Sequence, residues 1–166
     1  LAAARTSLCA RRAGEQALAS YKCAVRARPR FISAWREISA CYHILGHFHA
    51  SVVALDCGLR AAGFNDEGVV GPAAAAPLHL QSAANKLFLP GRAKEGLRSV
   101  EEAFRAGRGG VVGYILRGLL NTRLGKGTLA KQAFGKAKEL EPTIADFIDA
   151  IAAASVQAQG SASSAD

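Results

Sequence analysis

The chain has 166 residues, half of them apolar, and a formal net charge of +8 from 21 Lys and Arg against 13 Asp and Glu. That length supports one continuous core rather than two independent ones. Ala is abundant while Val, Ile and Thr are thin, which argues against a β fold because β-branched residues are the ones that favour strands. No apolar run reaches the ~18 residues of a membrane-crossing helix. Cys9, Cys23, Cys41 and Cys57 form no CxxC pair, so neither a zinc site nor a disulfide framework is indicated.

In chain order, residues 1–31 carry seven basic side chains and one acid, a local charge of +6. The opening LAAARTSLCARRA is Arg-rich and acid-free, as organellar transit peptides are. It also fits the leading helix of a helical hairpin, which is the reading adopted. The Leu1 start and the lack of Met are read as processing or truncation. Removal of an upstream presequence favours an organelle, mitochondrion or plastid, over the cytoplasm or a cilium. Residues 32–65 read as two helices: Trp35, Ile38, Tyr42 and Leu45 step by three and four, Gly46 ends the helix, and Phe48, Val52, Leu55 and Leu59 form a second apolar face closed by Gly63.

Residues 66–76 read as a loop insertion whose Ala run can add a helical turn. Residues 77–110 form a third unit with a turn at Gly91. The fourth, 111–144, has Tyr114 and Gly118 in its first helix, a turn at Gly125, then Ala130, Phe134 and Ala137 before Pro142. Residues 145–157 read as a capping helix with Ile144, Phe147, Ile148 and Ile151 on one face, and 158–166 as a disordered tail.

These units share a period. Gly91 and Gly125 are 34 apart, as are Ala103 and Ala137, and Ala17, Tyr21 and Ala24 pair at the same spacing with Ser51, Leu55 and Gly58. Gly46 and Gly91 are 45 apart, which is 34 plus an 11-residue insertion. Small residues at Ala24, Ala84, Ala103, Gly118 and Ala137 mark where paired helices approach most closely. A period of this length with an Ala-aromatic-Ala-Pro ending (AKQAFGKAKELEP) resembles the tetratricopeptide repeat, as does EQALASYKCAVRARP at residues 15–29. The departures are Asn121 for an aromatic, Gly58 for Ala and Arg5 for a small residue.

The resemblance implies an all-α, right-handed superhelix of antiparallel helix hairpins, about four repeats plus a cap. It also implies that the first helix of each hairpin lines a partner-binding groove. In this register that groove comprises Arg36, His43, Gln81, Asn85, Phe88, Ile115, Leu119 and Arg123. The carboxylate clamp of chaperone-binding members is absent, since Arg36, Ala40, Ser82, Val112 and Leu116 stand in its places. Gly46 puts a turn between His43 and His47, so they are not stacked metal ligands. No catalytic constellation, phosphate loop or cofactor site is evident, and Gly107, Gly109 and Gly110 read as linker glycines. The expectation is a non-enzymatic scaffold whose partners are other protein subunits. The alternative is an RNA-binding repeat protein of the pentatricopeptide kind, gripping phosphates through the basic N-terminal segment.

Overall fold

The computed structural model describes residues 2–63 and 72–163, with side chains described for 11–61 and 75–157. Among the described residues there are eight α-helices and no strand. They are α1 (Ala2–Ala27), α2 (Ile32–Ile44), α3 (Phe48–Gly63), α4 (Pro72–Lys86), α5 (Ala93–Arg105), α6 (Gly110–Arg123), α7 (Gly127–Leu140) and α8 (Ala145–Ser163), with a 3-10 turn at Pro142–Ile144. The closest pairings are α2 with α3, α4 with α5 and α6 with α7. Three hairpins therefore stand in series, flanked by α1 and α8.

The turns fall where the glycines lie. Gly46, Gly91 and Gly125 have φ of 78°, 73° and 70°. At Gly46 the backbone closes doubly: Gly46 N–H donates to the His43 carbonyl (3.0 Å) and His47 N–H to that of Tyr42 (2.8 Å). Gly125 repeats the pattern, donating to Thr122 at 2.9 Å while Lys126 donates to Asn121 at 2.9 Å. This closure satisfies the last carbonyls of a helix and requires a left-handed residue, which glycine adopts without a Cβ penalty. Gly107 ends α5 the same way, donating to Phe104 at 2.8 Å.

Three boundaries differ from the sequence expectation. Residues 1–31 do not fold as a hairpin, because α1 is one helix from Ala2 to Ala27. One repeat upstream of Gly46 stands Arg12, a good helix former, so nothing there ends the helix. Gly14 is buried, and a Cβ on it would lie 3.7 Å from Leu45, so it serves contact rather than termination.

The insertion at 66–76 is shorter than expected, since α4 already begins at Pro72; residues 66–71 lie outside the described residues. Pro72 suits a first helical position, and Pro77 five residues on forfeits one backbone bond without ending the helix. The tail at 158–166 is helical as far as Ser163, and 164–166 lie outside the described residues. Ile144 of the 3-10 turn and Ile148 and Ile151 of α8 pack inward as expected, but Phe147 is turned out and 61% exposed.

Each hairpin has its own apolar cluster. The first gathers Leu18 and Val25 of α1 with Ile38, Cys41 and Ala54. Burial pushes the Cys41 thiol up, so it acts as a small apolar group, whereas Cys23 is exposed. The second centres on Val100, Leu116 and Leu120, and the third on Phe134, Ala137 and Ile148. Close approach is built in: a Cβ on Gly118 would lie 2.5 Å from the Phe134 ring, and one on Gly58 would lie 2.7 Å from Leu78 and 2.9 Å from the Trp35 Cβ.

His79 on α4 is half-buried, and burial lowers its pKa from the ordinary 6.5, with Glu102 and Asp56 opposing and Lys86 assisting. Below pH 6.5 the unfolded chain protonates this ring while the folded one resists, so unfolding takes up a proton. Stability is then expected to fall as pH drops through that window. His79→Gln should flatten the decline in the urea midpoint; superimposable pH profiles for the two proteins would contradict it.

Candidate functional site

Three of the eight groove residues expected from sequence come together at the joint of the first and second hairpins. His43 near the end of α2 meets Asn85 in the last turn of α4 and Phe88 just beyond it. The His43 Nδ1 lies 2.5 Å from Asn85 Oδ1. Asn85 Nδ2 donates to Ser51 Oγ (2.7 Å) and to Ser39 Oγ (3.3 Å). The two hydroxyls lie 2.7 Å apart, and Ser51 also donates to the Ser39 carbonyl at 2.7 Å.

Only one proton arrangement satisfies every partner. Ser51 spends its proton on the carbonyl, so Ser39 donates to Ser51, Asn85 donates to both, and its oxygen accepts from His43 Nδ1–H. Asn85 is 1% exposed, so it is a buried joint between α2, α3 and α4 and not a groove surface residue as the sequence expectation had it. The helical register forces this, because the residue that faces the neighbouring hairpin at the closest point is also the one farthest from water.

Above this base sit aromatic rings. Phe48 and Phe88 are stacked, centroids 4.7 Å apart and planes within 9°, and the His43 ring stands edge-on to them at 5.2 and 5.3 Å. Phe88 is 53% exposed. Phe48 was legible in sequence only as part of an apolar helix face; its place at the N-terminal start of α3, beside the turn, is what brings it to the surface cluster.

The other expected groove residues are dispersed. Gln81 lies one turn before Asn85 and is half-buried, and Arg36 is exposed and paired with Glu37 at 2.8 Å. Ile115 and Leu119 pack against the cluster that α8 completes with Ile148, Ile151 and Ala152. The apolar groove expected in the last repeat is thus largely occupied by the chain's own capping helix. Arg123 is exposed at the end of α6. Among the described residues no three His, Cys, Asp or Glu side chains gather where they could hold a metal.

A second kind of surface was not anticipated. Between α1 and α3, floored by α2, runs a groove of about 540 Å³ lined by Lys22, Arg26, Trp35, Tyr42, Val53 and Cys57 among others. Between α5 and α7, floored by α6, lies a larger one of about 800 Å³ that includes Glu101, Tyr114, Arg117, Asn121 and Lys136. The repeat register maps one onto the other: Trp35 corresponds to Tyr114, Ile38 to Arg117, Tyr42 to Asn121 and Lys22 to Glu101. In the second groove Arg117 lies over the Phe104 ring at 4.7 Å and forms an ion pair with Glu101.

No protein-family model matches the sequence, and no curated protein matches it. Removing Asn85 tests the joint directly. Asn85→Ala strands the His43 N–H and two hydroxyl acceptors, and should cost about 1–3 kcal/mol in urea denaturation. An unchanged midpoint would mean the network contributes nothing to stability.

Proposed function

We propose that this protein is a non-enzymatic protein–protein interaction scaffold, a structural subunit of a larger organellar or cytoskeletal assembly, built as a right-handed tetratricopeptide-like superhelix. The observation that carries this reading is the Phe48–Phe88 stack, left open to water across the joint of two hairpins. Its base is a polar network whose atoms satisfy one another, so the rings are held rigidly. Rigid aromatic surface loses little entropy on being covered, and rings of this kind are the usual anchors of protein interfaces. Helical hairpins in series display such patches side by side, which suits extended partners.

A second reading, RNA binding, is favoured by one feature. Arg12, Arg26 and Arg28 make no ion pair among the described residues and lie in the segment of highest positive charge. Such arginines can neutralise phosphates.

Affinity capture from native extract with the wild-type chain and with Phe88→Glu separates the two. The scaffold reading expects a protein retained by wild type and lost by the variant, with circular dichroism and melting unchanged. RNA as the retained species, sensitive to nuclease and indifferent to Phe88→Glu, would put the second reading first.

A further inference from the structure

We propose that the groove between α1 and α3 receives an acidic amphipathic helix from a partner protein, an assignment that rests on the scaffold reading above. It follows from comparing the two repeat-related grooves. In the α5–α7 groove the site completes itself: the Arg117 guanidinium covers the Phe104 and Tyr114 rings and meets Glu101. In the α1–α3 groove both members of that pair are replaced. Ile38 stands for Arg117, leaving an apolar floor, and Lys22 stands for Glu101, putting a cation on the wall.

The consequence is an apolar trough with one-sided charge. Its floor is Trp35, Ile38 and Tyr42, and its far wall is Ala50, Val53, Ala54 and Cys57, with Val53 58% exposed. Lys22 sits 5.2 Å over the Tyr42 ring, and neither it nor Arg26 has an ion pair among the described residues. Among the described residues no carboxylate lines the groove. The occupant that supplies what is missing has apolar side chains for the floor and carboxylates for Lys22 and Arg26. An amphipathic helix presents both along one length, apolar at every third and fourth residue and acidic beside them. The volume of about 540 Å³ is that of a site taking several aliphatic side chains. A phosphate backbone would use the cations and leave the apolar floor uncovered.

Trp35 is the only tryptophan of the chain and lines this groove, so its fluorescence reports occupancy. The probe is a synthetic helix of about four turns with Leu on one face and Glu on the other. Controls are the same peptide with Lys for Glu, and polyuridylate. The expected result is a saturable Trp35 shift with the Glu peptide alone, weakened by salt. The double variant Lys22→Glu, Arg26→Glu should reduce affinity at least about tenfold. Val53→Glu should abolish the shift. Should Val53→Glu fail to fold, the changes at half-buried Lys22 and exposed Arg26, both outside the core cluster, keep the test valid.

No shift with the Glu peptide, a shift indifferent to the charge reversal, or a shift given by polyuridylate alone would overturn the assignment. So would a concentration-dependent shift of the protein alone with no response to the peptide, which would mean a second copy fills the groove. If the peptide fails while affinity capture still depends on Phe88, this assignment falls and the scaffold reading stands.

Discussion

The close approach of helices at a few side-chain-free positions sets everything else. Gly58, Gly96 and Gly118 each sit where a Cβ would fall within 2.7 Å of a neighbouring side chain: Leu78, Leu120 and Phe134. Larger residues there would push the helix axes apart, because interiors are packed too densely to absorb a methylene. Ala103 and Ala137, a repeat apart, are fully buried for the same reason. A hairpin held this tightly still cannot bury its outer apolar face, so the next hairpin must cover it. The grooves are a by-product. Where α1 and α3 both lie against α2, they leave a gap between them. Its floor is shared with the core through Trp35, Ile38 and Tyr42, and its charge comes from Lys22 and Arg26 outside the core cluster.

The joint between the first two hairpins is different in kind. There Ser39, Ser51, Asn85 and His43 replace apolar contact, and their bonds close at only one relative position of α2, α3 and α4. Apolar surfaces tolerate sliding, whereas a buried polar set with every member satisfied does not. The stacked phenylalanines are carried on that joint, so a functional surface and a register lock share the same residues. Elsewhere on α4, Ser82 Oγ is buried and has no hydrogen-bond partner among the described residues.

Periodicity made the helical class and the turn positions legible, because a left-handed glycine and an apolar stripe are local signals. The turns at Gly46, Gly91 and Gly125 needed nothing from the rest of the chain. Failure began where an element depends on something absent from its own stretch. Nothing in residues 1–31 says that Arg12 should end a helix, and the repeat alone suggested that one did. Pro77 looked like a boundary, yet a proline near a helix start costs one bond and is carried through. Asn85 was expected to face a partner-binding groove, but it is buried, because its partners Ser39 of α2 and Ser51 of α3 lie outside its own hairpin. The grooves were invisible because they lie between helices that are not neighbours in sequence.

A double-mutant cycle between Gly118 and Phe134 tests the claim of close approach most directly. Gly118→Ala alone gains helix propensity of about 1 kcal/mol, so the sign of its effect is not diagnostic. The coupling is. If the added methyl collides with the ring, Phe134→Leu should relieve it, and the double variant should be more stable than the sum of the single effects by at least about 0.5 kcal/mol. Additivity within a few tenths of a kcal/mol would contradict the account, because it would mean that the helices of the last hairpin are not held by that contact.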